Sequence, residues 1–227
     1  MEAKTFFITG TDTDVGKTFA ACILLQAAKK KGISTAAVKP IAAGGILTSA
    51  GLQNEDALLL QKNCSVDLSY KEVNAVCLDR PIAPHIAAQQ EGVTVQANEL
   101  AEHCKKVINK KADLTLIEGA GGWLVPLNQK EFIGDVVKAL NIPVILVIGL
   151  KLGCLNHALL TVRALQEEGV ILHGWIANQL NPKMPACEEN LETLQAMIKA
   201  PLITFIPWQS SNKSADLSGE IQINNLF

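Results

Sequence analysis

Aromatic side chains are scarce in this sequence. They make up 4% of its 227 residues, whereas hydrophobic residues as a whole make up 48%. Any core must therefore be built mainly from Ala, Val, Ile and Leu. Side chains of this kind suit helices packed on a buried parallel sheet, whose strands are apolar on both faces. A chain of this length and apolar content can form one large α/β domain.

The sequence also lacks an excess of charge and a long apolar run. Its formal net charge is -2, so no basic field attracts nucleic acid, and we expect no nucleic-acid partner. No apolar run approaches the roughly 18 residues that a membrane-spanning helix requires. The first residues lack the layout of a signal peptide. We therefore expect no membrane partner and a cytoplasmic location.

Cysteine pairs with metal-ligand spacing are missing as well. The sequence has six cysteines, but none forms a C-x-x-C pair. Their spacing suggests neither zinc ligands nor a disulfide framework. We expect reduced thiols that serve as small apolar residues. The four histidines show no triad or metal spacing, so none is assigned a catalytic role.

What the sequence does contain is a regular alternation of strand-like and helix-like stretches. Strands are predicted at residues 4–9, 35–39, 74–78, 114–117, 144–150, 172–178 and 202–206. Helices are predicted at residues 17–31, 56–61, 83–90, 95–110, 132–140, 155–168 and 187–198. This order predicts an α/β fold with a mostly parallel sheet and helices on both faces. We find no repeat or linker that would divide residues 1–227, and we expect a single domain.

The segment Gly10–Thr18, GTDTDVGKT, resembles a phosphate-binding loop. The strict pattern has about four residues between the first glycine and Gly-Lys-Ser/Thr, and here five intervene. A predicted strand precedes the segment and a predicted helix follows it, as such a loop requires. Lys17 would contact the β- and γ-phosphates and Thr18 would bind Mg²⁺. The alternative is a glycine turn that opens an ordinary helix, but the context favours a three-layer P-loop NTPase fold.

Two acids, Asp12 and Asp14, are unusual in a loop that binds anions. Their carboxylates could stabilise the start of the helix through its dipole. Alternatively, they could hold a cationic substrate or help to arrange the metal. The second interpretation indicates an amine as the substrate.

Three charged residues at the ends of predicted elements are candidates for chemistry. Lys39 ends a strand, where a lysine ordinarily reaches solvent, but beside a phosphate loop it can neutralise a transferring phosphoryl group. Glu118 ends a strand before Gly-Ala-Gly-Gly, as the Mg²⁺-binding acid of phosphate-loop enzymes does; the alternative is a simple turn. Asp56, near a helix start, is either a first-turn acid or a second metal ligand.

Two later segments also follow predicted strands. Residues 151–156 come after the most apolar strand and would present a helix N-terminus, which suits a carboxylate ligand. Asn178 ends another strand and could contact the edge of a nucleotide base. Because ligands of parallel sheets bind beyond the carboxyl ends of the strands, both segments are candidates for the same site.

These residues, taken together, resemble the dethiobiotin synthetase family over nearly the whole chain. The motifs that carry the resemblance are GTDTDVGKT at Gly10–Thr18, VKP at Val38–Pro40, NEDA at Asn54–Ala57, PHIAA at Pro84–Ala88, EGAGGW at Glu118–Trp123, KLGCLNHA at Lys151–Ala158, WIAN at Trp175–Asn178 and IPW at Ile206–Trp208.

The resemblance implies an ATP-dependent ring closure. The family joins 7,8-diaminopelargonic acid, CO₂ and ATP to give dethiobiotin, ADP and phosphate. One amine captures CO₂ as a carbamate, which attacks the γ-phosphate and forms a carbamic–phosphoric anhydride. The second amine then closes the ring and releases phosphate. The resemblance also implies a homodimer, in which residues 153–156 of one subunit bind the substrate carboxylate in the site of the other.

The resemblance assigns roles to individual residues of this sequence. The implied catalytic residues are Lys39, Lys17 and Thr13, and the implied Mg²⁺ ligands are Thr18, Asp56 and Glu118. The implied ATP contacts are Asp14, Val15, Gly16, Lys17, Thr18, Phe19, Glu118, Gly119, Ala120, Gly121, Asn178, Gln179, Pro207, Trp208 and Gln209. The implied substrate contacts are Thr13, Lys39, Ala43, Gly153, Cys154, Leu155 and Asn156.

Three positions depart from the family's pattern. Asp14 stands where the family commonly has the longer Glu, and Ala43 replaces a common hydroxyl side chain. Ser214 stands near the place of an acid at the ATP ribose. None of these differences removes a metal ligand or one of the two lysines.

The main alternative is a nucleotide-switch ATPase of the partitioning and division-site class, which shares this core fold. Such proteins typically begin the phosphate loop with K-G-G, whereas here the start is Gly10-Thr11-Asp12. The sequence also ends in IQINNLF, which is not the basic amphipathic helix that binds a membrane surface. A relative that uses another diamine or nucleotide is a second alternative, because fold alone does not define the substrate.

Overall fold

The computed structural model describes residues 3–209 and residue 226. In chain order its elements are β1 (Lys4–Gly10), α1 (Lys17–Lys30), β2 (Thr35–Val38), β3 (Ile41–Ala43), β4 (Ile46–Thr48), β5 (Gly51–Gln53), α2 (Glu55–Asn63), α3 (Tyr70–Val73), β6 (Val76–Leu78), α4 (Pro84–Gln90), α5 (Ala97–Ile108), β7 (Leu114–Glu118), α6 (Ile133–Leu140), β8 (Val144–Leu150), α7 (Cys154–Glu167), β9 (Leu172–Gln179), α8 (Cys187–Met197) and β10 (Leu202–Ile206).

Six strands form one parallel sheet in the order β10-β9-β8-β1-β7-β2. The predicted parallel α/β sheet is confirmed, and all six of these strands were expected from the sequence. The strand expected at residues 74–78 is present as the short β6, but it pairs with β3 outside the main sheet. The short elements β3, β4, β5 and α3 were not predicted, because three or four residues are too few to show a hydrophobic period.

Side chains alternate between the two faces of the sheet, and the two faces pack in different apolar clusters. Along β8, Leu146, Ile148 and Leu150 pack in one apolar cluster that includes residues of α7 and α8. The alternate residues Ile145 and Val147 belong to the other, larger cluster. This alternation follows from the two-residue period of a strand, and it explains why β8 is apolar along its whole length.

Strand register brings the polar segments of the sequence to one edge of the sheet. Ile8 of β1 pairs with Glu118 of β7, and Val38 of β2 pairs with Ile117. Lys39 therefore follows β2 directly beside Glu118, and the phosphate loop leaves β1 on the other side of that acid. The fold places the ligand-binding groups at the carboxyl ends of central strands, as expected for parallel sheets.

The expectations of unpaired cysteines and of no membrane-spanning helix can be compared with the structure. All six cysteines carry free thiols; Cys22, Cys104 and Cys154 are buried like apolar residues, whereas Cys64, Cys77 and Cys187 are partly exposed. Within residues 3–209, no helix combines the length and the apolar character that a membrane span needs. Ser214, the position near the expected ribose acid, lies outside the described residues.

Candidate active site

The phosphate loop is fixed by a side chain from β9. Asn178 is buried, and its Nδ2 donates a hydrogen bond to the carbonyl oxygen of Val15 at 2.8 Å. Gly16, the next residue, has φ 87, a conformation that L side chains rarely adopt. A Cβ atom at Gly16 would also collide with the Asn178 amide. Glycine is therefore needed at this position for two independent reasons.

Lys17 begins α1 with its ammonium at the mouth of the loop. The residue is 7% exposed, and its Nζ donates to the carbonyl oxygen of Asp12 at 3.1 Å. The pKa of Lys17 is lowered to about 8, mainly because the residue is buried; the carboxylate of Glu118 opposes this shift, and the charge of Lys39 adds to it. The Lys17 ammonium is buried and donates to a neutral carbonyl oxygen, so a negatively charged phosphate would be a stronger partner for it.

The centre of the site is a buried carboxylate that contacts a hydroxyl and an ammonium, and the ammonium in turn contacts a second carboxylate. Glu118 accepts a hydrogen bond at Oε1 from Thr18 Oγ1 at 2.7 Å. The same oxygen is 2.5 Å from Lys39 Nζ, which also lies 3.1 Å from Asp56 Oδ2. The side chain of Glu118 is 1% exposed and that of Lys39 is 6% exposed, whereas Asp56 is 45% exposed. Four elements thus bring one hydroxyl, one ammonium and two carboxylates together.

Lys39 remains charged in this cluster. Burial by itself lowers the pKa of the Lys39 ammonium, but the carboxylates of Glu118 and Asp56 outweigh that effect, so the pKa is raised. The site therefore contains a permanent cation close to the phosphate loop, which corresponds to the role that the sequence predicts for this lysine.

The same cluster has a donor set that fits Mg²⁺. Glu118 Oε2 is buried and has no hydrogen-bond partner among the described residues. An unpaired buried carboxylate oxygen is costly, and a cation would satisfy it. Among residues 3–209, no group of three or more His, Cys, Asp or Glu side chains could hold a metal alone. Mg²⁺ keeps waters and binds through one or two carboxylates together with substrate phosphates, and Glu118 and Asp56 supply two carboxylates here.

A cleft of about 1320 Å³ opens over the cluster. It brings together many of the residues that the sequence predicts, and these are Thr13, Asp14, Gly16, Lys17, Thr18, Phe19, Lys39, Ala43, Asp56, Glu118, Ala120 and Gly121. The remaining predicted residues do not line it, and these are Val15, Gly119, Gly153, Cys154, Leu155, Asn156, Asn178, Gln179, Pro207, Trp208 and Gln209.

The predicted adenine contacts form a separate group beside the phosphate loop. The backbone N–H of Trp208 donates to Gln179 Oε1 at 3.3 Å, and Gln209 Nε2 donates to the carbonyl oxygen of Pro207 at 3.3 Å. Asn178 connects this group to the loop through its bond to Val15. The Asn178 side chain thus has a loop-positioning role that the sequence did not indicate, alongside the predicted contact with a base.

The two acids of the phosphate loop have different surroundings. Asp12 Oδ2 is 2.9 Å from Lys151 Nζ, and this hydrogen bond is the main reason that the pKa of Asp12 is lowered. Asp14 is exposed, has φ 57 and lines the cleft. Because Lys151 already offsets the charge of Asp12, only Asp14 remains as a candidate contact for a cationic substrate.

Apolar walls of the cleft were not found from the sequence. One wall is formed by residues 81–84 and another by residues 124–126, and Cys22, Ile23 and Leu59 line the side between α1 and α2. The PHIAA motif overlaps the first wall, but its residues carry no polar pattern that marks a binding surface. Only the structure shows that these side chains and the cluster share a cleft.

The fold and the site together define a P-loop nucleotide-binding protein. A family model described as an AAA domain matches residues 4–215. Solved structures agree in fold: a ParA family ATPase from Chlorobium tepidum has a TM-score of 0.58 at 13% identity and is covered over 98% of both chains. A signal recognition particle receptor FtsY from Elizabethkingia anophelis has a TM-score of 0.53, and this chain spans 61% of its length.

Sequence comparison identifies the family within that class. The chain is 50% identical to an ATP-dependent dethiobiotin synthetase from Cellvibrio japonicus over 100% of this chain and 99% of the relative. It is 44% identical to an ATP-dependent dethiobiotin synthetase from Escherichia coli strain K12 over 96% of each chain. The chain belongs to the ATP-dependent dethiobiotin synthetase family.

The environment of Glu118 generates a prediction about metal dependence. In Glu118→Gln the neutral amide no longer attracts Mg²⁺, so the Mg²⁺ concentration that half-saturates ATP binding should rise by about tenfold or more. Calorimetric titration of ATP at a series of Mg²⁺ concentrations measures this. Glu102→Gln, an exposed acid on α5, is the matched control. Unchanged Mg²⁺ dependence in Glu118→Gln would mean that the acid is structural.

The position of Asn178 generates a second prediction, which separates its two roles. Asn178→Ala leaves the Val15 carbonyl without its partner and loosens the phosphate loop, at a cost of about 1–3 kcal/mol. The affinity for Mg-tripolyphosphate, which has no base, should therefore fall together with the affinity for Mg-ATP. A loss for Mg-ATP alone would contradict the loop-positioning role and assign the residue to adenine. Isothermal titration of both ligands decides between these outcomes.

Proposed function

We propose that this chain catalyses the ATP-dependent conversion of 7,8-diaminopelargonic acid and CO₂ to dethiobiotin, with release of ADP and phosphate. The observation that carries the proposal is the buried contact of Lys39 with Glu118 and Asp56 beside the phosphate loop. It occurs in a chain whose relatives at 44–50% identity carry the name of that activity. Geometry and family membership point to the same chemistry.

The phosphate loop and Lys17 would bind the triphosphate. Successive backbone N–H groups and the N-terminus of α1 favour phosphate at this place. Lys17 would exchange its bond to the Asp12 carbonyl for the β- and γ-phosphates, which offer a full negative charge in place of a neutral acceptor. The Asn178 bond to Val15 keeps the loop in the shape that this contact needs.

Lys39 would act on the charge that develops during phosphoryl transfer. Its ammonium is buried, remains charged and lies next to the proposed metal ligands. A cation held in this way stabilises the carbamate oxygen and the transferring phosphoryl group without reorganising during the reaction. Thr13, exposed at the mouth of the loop, would help to orient the carbamate. The residues thus act through position and charge, as is usual for phosphoryl transfer.

Mg²⁺ would be held by Thr18, Asp56 and Glu118. When bound, it would supply positive charge that offsets the charge of the phosphates. Thr18 would turn its hydroxyl from Glu118 towards the metal, and Glu118 would contribute the oxygen that has no other partner in the described part of the chain. Asp56 is half exposed, so water can reach this side of the site and would supply further oxygen ligands to the metal.

The diamine substrate would lie between the charged cluster and the apolar walls. Asp14 would attract an ammonium group of the substrate, and Ala43 lines the same space with no hydroxyl to offer. Ile82 and Leu124, both partly exposed in the cleft, suit a methylene chain. The substrate carboxylate then needs a site away from the carboxylates of the cluster.

We propose that this carboxylate site comes from a second copy of the chain. Gly153–Asn156 opens α7 but does not line the cleft of its own chain, and Leu152 beside it is fully exposed. Backbone N–H groups at a helix N-terminus bind carboxylates. A homodimer with shared sites, formed by single-domain chains of residues 1–227 in the cytoplasm, therefore completes the proposal.

The alternative of a nucleotide-switch ATPase has less support. The likeness to the ParA family ATPase is at 13% identity, so it indicates the fold alone. The start of the phosphate loop has Asp12, paired with Lys151, instead of the lysine that such switch ATPases typically carry there. No observation in the described residues favours a nucleic-acid or membrane partner.

The proposed activity is tested by ADP release with Mg-ATP and bicarbonate, with and without 7,8-diaminopelargonic acid. We expect release that depends on the diamine and matches dethiobiotin one for one by mass spectrometry, because the phosphoryl acceptor is the carbamate of that substrate. Release that is independent of the diamine would favour the switch ATPase. No release with this diamine would favour a different acceptor.

Sharing of sites is tested by mixing two inactive variants. Lys39→Met removes the cation from one site, and Asn156→Ala removes the side chain that the family resemblance assigns to the substrate carboxylate in the partner's site. A mixed dimer contains one site with both defects and one with neither, so we expect activity to return to as much as about half that of wild type per mixed dimer. The assay is steady-state turnover after mixing, with hetero-dimers confirmed by native mass spectrometry. Confirmed hetero-dimers without recovery would contradict shared sites.

A further inference from the structure

Tyr70, the single tyrosine of the chain, lies behind the active site and does not line the cleft. It begins the short helix α3 and is half-buried. Its hydroxyl accepts a hydrogen bond from the backbone N–H of Asn54 at 2.7 Å. The same hydroxyl donates to Asn74 Oδ1 at 3.0 Å. One atom therefore connects two buried asparagines through opposite hydrogen-bonding roles.

The branch through Asn74 leads to Lys39. Asn74 is 3% exposed, and its Nδ2 donates to the carbonyl oxygen of Lys39 at 2.6 Å and to that of Val76 at 3.1 Å. The Tyr70 proton on Oδ1 sets the orientation of the amide, so that Nδ2 faces these carbonyls. The backbone N–H of Lys39 also donates to the carbonyl of Val73 at 2.8 Å, at the end of α3. The backbone of Lys39 is thus held by α3 and the residue that follows it.

The branch through Asn54 leads to Asp56. Asn54 is the N-cap of α2, and its Oδ1 accepts from the backbone N–H of Ala57 at 3.3 Å. Its Nδ2 donates to the carbonyl oxygen of Ala43 at 3.3 Å. Asp56 lies in the first turn of the helix that Asn54 caps. The Tyr70 hydroxyl therefore holds the residue that caps this helix. Through Asn54 it also holds the backbone at Ala43, one of the residues that line the cleft.

We propose that Tyr70 is a positioning residue that holds Lys39 and Asp56 in register with each other. The inference rests on the proposed function for its effect on turnover. Lys39 and Asp56 come from separate segments with the β4–β5 hairpin between them, yet their side chains meet at 3.1 Å. The two hydrogen bonds of the Tyr70 hydroxyl join the supports of both segments at one point.

Removal of this hydroxyl would leave two buried groups without partners. The N–H of Asn54 and the Oδ1 of Asn74 would each lose the bond described above, and buried polar groups rearrange to recover such bonds. Any rearrangement moves Lys39, Asp56 or both. Small displacements of groups that act on a transition state have large effects on rate. The phosphate loop has its own anchor in Asn178 and meets this network through Glu118, which contacts both Lys39 and Thr18.

The test is Tyr70→Phe, which keeps the ring and removes only the hydroxyl. We expect kcat to fall by roughly tenfold to a hundredfold. We expect the affinity for ATP at saturating Mg²⁺ to change by less than about twofold, and the Mg²⁺ concentration that half-saturates ATP binding to rise about threefold or more. Ser69→Ala is the matched control on the same helix: it removes the hydroxyl that bonds Glu72, so it should lower the melting temperature without changing kcat or the Mg²⁺ dependence.

A second variant separates the two branches. Asn74→Ala cuts only the branch to Lys39, so it should lower kcat as Tyr70→Phe does but shift the Mg²⁺ dependence of ATP binding less. If Tyr70→Phe keeps wild-type kcat and wild-type Mg²⁺ dependence while losing only thermal stability, the proposal is overturned. Equal ATP-affinity losses at saturating Mg²⁺ in both variants would also overturn it, because the phosphate loop would then be the affected element.

The outcome is separable from the fate of the proposed function. Wild-type protein is assayed in parallel, and its failure to form dethiobiotin would reject the proposed reaction alone. The Mg²⁺ dependence of ATP binding is an equilibrium measurement that needs no turnover. A shift in Tyr70→Phe, absent in Ser69→Ala, would therefore support the positioning of Asp56 even if the substrate were different.

Discussion

The contact between the Lys39 ammonium and the buried Glu118 carboxylate is the interaction on which the site depends. Each charge would be costly to bury alone, and the two charges meet where two neighbouring strands end together. The register of β2 with β7 provides that place. Thr18 and Asp56 then contact the pair from α1 and α2, and one carboxylate oxygen remains free of partners among the described residues. Sheet register thus determines where the Lys39 cation and the buried carboxylate of Glu118 lie.

The loops around this pair are anchored by side chains from distant parts of the chain. Asn178 holds the phosphate loop at Val15 from β9, and Lys151 holds Asp12 from the end of β8. On the opposite side, Tyr70 joins the supports of Lys39 and α2. Catalysis by position requires rigid supports, and here each support is a polar contact. The contacts of Asn178 and Lys151 join residues that are 163 and 139 positions apart, whereas those of Tyr70 span 16 and 4 positions.

Much of this arrangement is predictable from the sequence. The strands of the main sheet follow from apolar runs between glycine and proline signals, and Gly16-Lys17-Thr18 after a strand predicts a phosphate site. Lys39, Asp56 and Glu118 were identified because charged residues at strand ends and helix starts have few other uses near such a loop. The structure places all three within one cluster, which local pattern alone could only suggest.

Other features depend on pairings that no local pattern encodes. The different surroundings of Asp12 and Asp14 depend on Lys151, which lies 139 residues from Asp12 along the chain. The loop contact of Asn178 and the network of Tyr70 likewise join residues whose neighbours in sequence give no signal. The hairpin β4–β5 and the apolar walls of the cleft are made of short segments, in which neither a helical nor a strand period can develop.

The most direct test of the account is to locate a metal in crystals grown with Mn²⁺ and a non-hydrolysable ATP analogue. Anomalous scattering should place Mn²⁺ at about 2 Å from Glu118 Oε2 and from Thr18 Oγ1, which is typical of hard-cation sites, and the γ-phosphate beside Lys39. A metal bound to the phosphates but remote from Glu118, with Oε2 still unpaired, would contradict the claim that this buried carboxylate organises the site.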